Sequence, residues 1–459
     1  MAEFDAATEV SENDPLEPRR VDAVLAAVDA RDTARLTALL RPLHAADIAD
    51  LLEQISSGDR RELLRLWSGE VDGEILSEID EAIREEVIAH LPPEVLAEAM
   101  RELDSDDVVD ILEDLEHPQR QMILGALESA DRVAVEQAMA FPEGSAGRLM
   151  QREVVVAPEH WSVGETIDYL RASDHLPDHF YHVILVDPGM KPQGYVTLGR
   201  MLSSRRDAKL RALTEENFRT VLVTDEEGDV AYIFNQYHLI SCPVVDADDR
   251  LVGVITIDDA MSVLDEEHEE DMLRLAGVGD EASVSDGAFA TARQRLPWLV
   301  VNLFTASLSA LVITQFEATI VSLVALAALM PIVASTGGIA GTQSLAVAVR
   351  ALATRDLTRA NARRVVLREL LAGCLNGIGL AVILGLAGAL IFSSPQLGAV
   401  LAAAMVVNQV VASLGGVLVP LTLDRLGLDP ALASGTFVTT LTDVMGFFAF
   451  LGLATLVLV

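Results

Sequence analysis

Lysine is nearly missing from this 459-residue chain: Lys191 and Lys209 stand against 31 arginines. Cysteine is as scarce. Cys242 and Cys374 lie in apolar surroundings far apart in the chain, so no disulfide framework is expected and a reducing, cytoplasmic setting fits. The first residues, MAEFDAATEV, lack the basic and apolar regions of a cleaved leader, so no signal peptide is expected. No phosphate-cradling glycine loop, Ser/His/Asp arrangement or Cys/His metal spacing is present, which argues against an enzyme. Positive charge is also short overall, with 33 basic residues against 70 acidic ones. Residues 291–459 hold nine arginines and six carboxylates, so the first 290 residues carry nearly all of the excess, close to −40. Such a surface repels nucleic acid and attracts cations.

The hydrophobic material is concentrated after residue 295. Five apolar stretches, 296–316, 319–349, 365–392, 397–421 and 434–458, are each long enough for a bilayer core of about 30 Å. Arginine falls only before the first stretch, between the second and third, and between the fourth and fifth. The positive-inside rule therefore predicts a multi-pass plasma-membrane protein with a cytoplasmic N-terminus and an extracytoplasmic C-terminus.

These spans are unusually polar: Ser335-Thr336-Gly337-Gly338, Gly341-Thr342-Gln343-Ser344, Asn376-Gly377, Asn408-Gln409 and Gly415-Gly416 all fall at membrane depth. Close helix packing explains small residues of this kind equally well. Asp443 is harder to explain by packing. It stands about ten residues into the last span, beside Thr439, Thr440, Thr442 and Gly446. A carboxylate there costs at least about 2.5 kcal/mol, and such residues usually line a polar path. Two readings stay open: a structural carboxylate bonded to nearby Thr or Asn, or a site for a cation or proton.

Upstream, residues 36–140 read as short amphipathic helices. Ile48, Leu51, Leu52 and Ile55 recur at i, i+3, i+4, i+7, as do Val108, Ile111, Leu112 and Leu115. Helical hairpins stacked as a superhelix are expected. Asp106 and Asp110 share a helix face, where like charges repel unless a cation lies between them. From 145 to 265 β-branched runs take over, and residues 183–202 return as 242–261, with Asp187/Asp246, Gly194/Gly253 and Thr197/Thr256 each 59 positions apart. Each copy reads as strand, turn, strand and helix, and the two should pack together around a shared cleft. Eight carboxylates follow between Asp258 and Asp271. They form either a solvated helix face or a site for hard cations such as Mg2+, which take oxygen ligands.

The repeat resembles a tandem CBS pair, a regulatory module that often binds adenine nucleotides. In that family Thr-x-x-Asp meets ribose and phosphate; Thr256 and Asp259 match, whereas the first copy has Thr197 and Arg200. The chain as a whole resembles the MgtE family of magnesium channels and transporters. The resemblance is carried by LMPIVASTGGIAGTQS (329–344), RALATRDL (350–357), RLGLDPALASG (425–435), FVTTLTDVMGFF (437–448) and FPEGSAGRLM (141–150). It implies a homodimer in membrane lipid that conducts Mg2+ inward through a pore lined by the second and last spans. Cytoplasmic Mg2+ would close the pore through a plug helix.

The implied fold is an all-α superhelical domain at 21–142 after a disordered acidic stretch 1–20. A tandem α+β CBS pair at 143–268, a connecting plug helix at 269–295 and a five-span transmembrane pore domain at 296–459 follow. The family's pore carboxylate falls on Asp443, and its loop carboxylate before the last span falls on Asp429. Its sensor carboxylates fall on Asp106, Asp110, Asp259, Glu267 and Glu270, and ATP at the CBS pair would meet Thr256 and Asp259. Three positions depart from the family pattern. Ile339 replaces an Asn after the paired glycines, His238 replaces an Asp, and Glu226-Glu227-Gly228 replaces Asp-Gln-Glu. His238 would add a proton response near pH 6–7. A receptor without transport and an exchanger coupled to Na+ or H+ are the competing readings.

Overall fold

The computed structural model describes residues 16–459 apart from 114, 116, 128, 174–175, 178–179, 216, 279–281, 283–286 and 433–434, and leaves aside the side chains of Ala82 and Ala130. The expected disordered stretch 1–20 lies outside the described residues up to 15. A helix already begins at Pro18, where proline suits a first turn that needs no N–H partner. The chain divides into two compact units, residues 1–266 and 267–459.

The first unit opens with short helices between Pro18 and Ala138. Their apolar stripes form one continuous core: Ile48, Leu51, Leu52 and Ile55 are buried, as are Val108, Ile111, Leu112 and Leu115. Local signals set the helix ends. Asp32 accepts from Arg35 N and Ser56 from Asp59 N, satisfying amides that the first turn leaves open. Two arginines are buried in this core, and each is satisfied. Arg60 donates to the carbonyls of Leu52 (2.7 Å) and Ile55 (3.3 Å) and pairs with Glu86 at 2.5 Å. Arg84 donates to Ile79 O at 3.0 Å and pairs with Asp110 at 2.9 Å.

The internal repeat folds twice in the same way. Strands β1 (Val156–Pro158), β2 (His182–Val186) and β3 (Pro192–Thr197) form one sheet; β4 (Val221–Leu222), β5 (Ser241–Val245) and β6 (Leu251–Thr256) form the other. In both, the first pair is parallel and the second antiparallel. Even the register slip recurs, at Leu185/Val186 and again at Val244/Val245. The copies meet through equivalent positions: His182 Nδ1 and Ser241 Oγ lie 2.5 Å apart, and Ile184, Val186, Leu251 and Val254 share a small core. The CBS-like helices differ in length. Leu198–Leu202 follows β3, whereas the acidic helix Ile257–Ala276 follows β6 and runs on into the second unit.

The second unit holds five helices long and apolar enough to cross a membrane: Ala288–Gln315, Ala325–Ala353, Ala362–Ile391, Pro395–Leu426 and Gly435–Leu458. A short helix, Glu317–Ser322, precedes the second. Several helices overrun the apolar stretches that announced them. The first starts at Ala288, and the second and fourth continue to Ala353 and Leu426, because arginine-bearing turns keep helical hydrogen bonds beyond the hydrocarbon. Within the expected plug segment 269–295, residues 279–281 and 283–286 lie outside the described residues, while 269–276 end the acidic helix and 288–295 begin the helix of the first span. The third and fourth spans touch at backbone distance: a Cβ on Gly398 would stand 2.4 Å from Gly385 O. Without a hydrophobic drive between helices in lipid, such close approach is what holds a bundle together.

Candidate functional site

Two groups of carboxylates deserve a function, one in each unit. In the first unit, the helix Ser105–Glu113, the motif around Gly144 and Arg148, and the start of the acidic helix enclose a cavity of about 210 Å3. Asp106, Asp107, Asp110, Glu113, Glu227, Asp259 and Glu266 line it, together with Arg84 and Arg148. The helix Ser105–Glu113 presents its acids here because its apolar stripe, Val108, Val109, Ile111 and Leu112, faces the core. Asp259 is placed by its own helix start: Thr256 Oγ1 donates to its carboxylate at 2.6 Å.

Crowding shifts these acids strongly. Burial, then the charges of Asp259, Asp107 and Asp104, holds Asp106 well above the ordinary carboxylate range. Burial, then Asp259 and Asp104, pushes Asp107 up to about 7. Asp259 is raised by burial and by Asp258, against the Thr256 hydrogen bond that lowers it. Glu266 is raised by burial and by Glu81 and Asp110, but it sits at the exposed rim, where water weakens that push.

All the acidic ligand atoms here are hard oxygens, the donor type that Mg2+ and Ca2+ select. Two arginines compete for them: Arg84 holds Asp110, and Arg148 is bonded to Glu113. Asp106 and Asp110 do share a face, but a fixed guanidinium already answers Asp110. Among the described residues, no three His, Cys, Asp or Glu side chains come together as a ready-made metal site.

Other expected residues fall elsewhere. Glu267 and Glu270 lie in the second unit, on the last turns of the acidic helix. Glu270 pairs with Arg274 at 2.8 Å, and Glu267 is raised by burial and by Glu270 and Asp271. Asp429, in the turn before the last span, pairs with the same Arg274 at 2.9 Å and accepts from Ala431 N at 2.8 Å. Leu275 packs beside Leu345, Val349, Ala431 and Val438. The end of the acidic helix is thus fastened to the foot of the last span through Arg274 and Leu275. His238 closes the helix Glu227–Tyr237 in the left-handed conformation, φ 52°, with an exposed side chain; that gives the substitution a backbone role. Ile339 is 58 % exposed on the second span, beside Gln343 and Asn376 along an open cleft.

Within the spans, Asp443 is half-buried and has no hydrogen-bond or ion-pair partner among the described residues. Its neighbours do not supply one. Thr439, Thr440 and Thr442 donate to carbonyls of their own helix, at 2.5, 2.7 and 2.8 Å. The reading of Asp443 as a carboxylate locked to nearby Thr or Asn therefore loses its support.

One turn further along the last span, Asn408 of the fourth span is fully buried against Gly446. Its Nδ2 donates to Val333 O of the second span at 2.7 Å, and its Oδ1 has no partner among the described residues. A Cβ at Gly337 would fall 2.3 Å from Nδ2, and one at Gly446 2.9 Å from Oδ1. Both glycines are required to admit this amide, which joins the second, fourth and last spans at one point.

Several of these residues were not singled out by pattern. Asp107 follows Asp106 directly, and adjacent helical residues do not normally share a face. Arg84, Arg148 and Arg274 act through distant partners; only the i,i+4 spacing from Glu270 to Arg274 is visible in the sequence. Asn408 was visible as a polar residue at depth, but not as the meeting point of three helices.

Comparison with known proteins returns consistent matches. Residues 330–453 match a family model described as a divalent cation transporter, 43–144 match the MgtE intracellular N domain, and 146–207 and 210–266 each match a CBS domain. The magnesium transporter MgtE of Thermus thermophilus is 35 % identical over 436 residues, 93 % of this chain and 96 % of that protein. The magnesium transporter MgtE of Enterococcus faecalis is 34 % identical over 324 residues, covering 70 % of this chain and 71 % of its own. Among solved structures, the cytosolic domain of the Mg2+ channel MgtE in complex with ATP is 27 % identical. That match spans 53 % of this chain and 99 % of the solved one, with a TM-score of 0.49.

Proposed function

Because this chain belongs to the MgtE family of divalent cation transporters, a multi-pass membrane family, we propose that it admits Mg2+ to the cell through a pore in which Asp443 holds the passing ion. The single observation that carries this reading is the isolation of Asp443: a carboxylate in a membrane helix with no protein partner among the described residues. A charge so placed needs compensation, and a hydrated divalent cation supplies it. In a homodimer, a two-fold axis would set two Asp443 side chains on opposite sides of one path. Mg2+ gives up water reluctantly and prefers few carboxylates with several retained waters, which two such groups would allow. Influx then follows the membrane potential, about 2.3 kcal/mol per charge per 100 mV.

Gating belongs to the acidic residues. Mg2+ at the cavity of Asp106, Asp107 and Asp259 would neutralise carboxylates that otherwise repel one another. When cytoplasmic Mg2+ falls, that repulsion loosens the cytosolic unit, and the acidic helix, fastened by Arg274 and Leu275 at the foot of the last span, transmits the change. ATP at the CBS pair would use Thr256 and Asp259, so Thr256→Val should weaken ATP binding measured by calorimetry. For transport itself, expression of Asp443→Ala in a host that depends on supplied Mg2+ should give no rescue of growth. Full rescue by a properly inserted Asp443→Ala protein would remove Asp443 from the path.

A further inference from the structure

The connection between the second and third spans carries far more positive charge than its own contacts use. Residues 350–368 hold six exposed arginines. The acids of the same stretch are already engaged: Asp356 accepts from Thr354 Oγ1 at 3.0 Å, and neighbouring Glu369 accepts from Ser344 Oγ at 3.2 Å and pairs with Arg368 at 3.3 Å. The guanidinium groups of Arg350, Arg359, Arg363 and Arg364 have no hydrogen-bond or ion-pair partner among the described residues. Orienting the protein in the membrane requires only that positive charge lie on this side. It does not require two arginines in the first turn of the third span, where the helix dipole opposes cations and no acidic side chain offsets them.

Below Arg363 the same helix face turns apolar. Leu367, Leu371 and Leu375 follow at steps of four and are 54, 60 and 62 % exposed. A cation at the boundary above an apolar stripe matches the two ends of a phospholipid, a phosphate and its acyl chains. We infer that Arg359, Arg363 and Arg364 bind the headgroup of an anionic phospholipid whose chains lie along Leu367, Leu371 and Leu375, fixing the turn between the second and third spans. The occupant follows from charge: the patch is positive, unpaired and continuous with a surface that lies in lipid. This inference rests on the membrane reading of the five spans and on the cytoplasmic side assigned to this turn.

The test uses the full-length protein in nanodiscs of phosphatidylcholine with and without phosphatidylglycerol, reading both thermal midpoint and Mg2+ flux after matched reconstitution into liposomes. Phosphatidylglycerol should raise the wild-type midpoint, and added salt should reduce that gain by screening. The Arg363→Gln/Arg364→Gln variant should lose the gain, while Arg363→Lys/Arg364→Lys should keep most of it, since charge is what the headgroup requires. Equal wild-type midpoints in the two lipids, or an unchanged gain in the Gln variant, would overturn the site. A Gln variant less stable by the same amount in both lipids would point instead to an acidic partner on the protein, and would also overturn it. Should wild-type protein carry no flux in either lipid, the transport reading fails, while the midpoint shift still reports on the lipid site.

Discussion

The same carboxylate chemistry is handled in opposite ways by the two units of this molecule. In the cytosolic unit acids are gathered until they repel, and arginines are set among them: Arg84 against Asp110, Arg148 against Glu113. In the membrane unit Asp443 stands without a protein partner among the described residues. The proposed roles would account for the difference. A site that senses an ion has to persist when the ion leaves, and here part of its charge is answered by the fixed cations Arg84 and Arg148. A conducting site has to release its ion, and a fixed guanidinium beside it would hold the carboxylate and exclude the metal.

The largest effect should come from removing a fixed cation. Arg84 is buried, and Arg84→Ala leaves Asp110 without its partner and Ile79 O without its donor. Asp110 itself is exposed, so the cost is that of the buried Ile79 carbonyl left without its donor, about 1–3 kcal/mol, together with the lost packing of the Arg84 stem. In thermal unfolding of the full chain, the variant should melt lower than wild type, and added Mg2+ should recover more stability than it gives wild type. Equal Mg2+ gains would mean that Arg84 does not compete for the sensor's charge.

Next in size is the packing around Asn408. Gly337→Ala places a methyl on the Asn408 amide and should destabilise the spans by about 1–3 kcal/mol, the usual range for overpacking. Asn408→Ala should make Gly337→Ala tolerable, so the two changes would combine far from additively. Additive losses in detergent melts would show that the amide is not what Gly337 accommodates.

The pH response separates the two units more finely. The folded-state pKa of Asp107, about 7, lies above its unfolded value, so the proton is held more tightly in the folded chain. Stability from that proton is complete below the ordinary aspartate range near 4 and is lost as pH rises through about 7. Without divalent ions, the cytosolic transition should therefore fall between about pH 4 and 7. Saturating Mg2+ should flatten that slope and release protons on binding, measurable as buffer-dependent heat. A slope unaffected by Mg2+ would place the ion elsewhere.

The smallest effect concerns the tie at the end of the acidic helix. Arg274 and Asp429 are partly exposed, and a pair of this kind contributes roughly 0–1 kcal/mol. Arg274→Gln should hardly change the melting temperature, yet should alter the Mg2+ concentration at which flux is half-closed. If the closing concentration stays put, the tie does not transmit gating.

Much of this organisation was legible because strong periods do not depend on tertiary contact. The 3.6-residue stripe ending at Ile55 and the 59-residue return of Thr197 as Thr256 both fold as their spacing implies. Asp443 was legible because a lone carboxylate in an apolar run is conspicuous. Strands β1 and β4, of three and two residues, are too short to carry a period, and they exist only by pairing with β2 and β5. The fixed cations of the acidic cavity were hidden for a related reason. No local spacing links Arg84 or Arg148 to its acid, since Asp110 and Glu113 lie 26 and 35 positions away. Thr256 and Asp259 show the converse, a pair read as a nucleotide contact that is also the cap of its own helix.

The most direct measurement is Mg2+ entry into liposomes containing Asp443→Asn, which keeps the shape of the side chain and removes its charge, compared with wild type at equal protein density and an imposed inside-negative potential. Flux should fall to the level of empty liposomes while melting temperature holds or rises, because an unpaired charge has been taken out of the membrane. Wild-type flux from Asp443→Asn would contradict the assignment of Asp443 to the ion path.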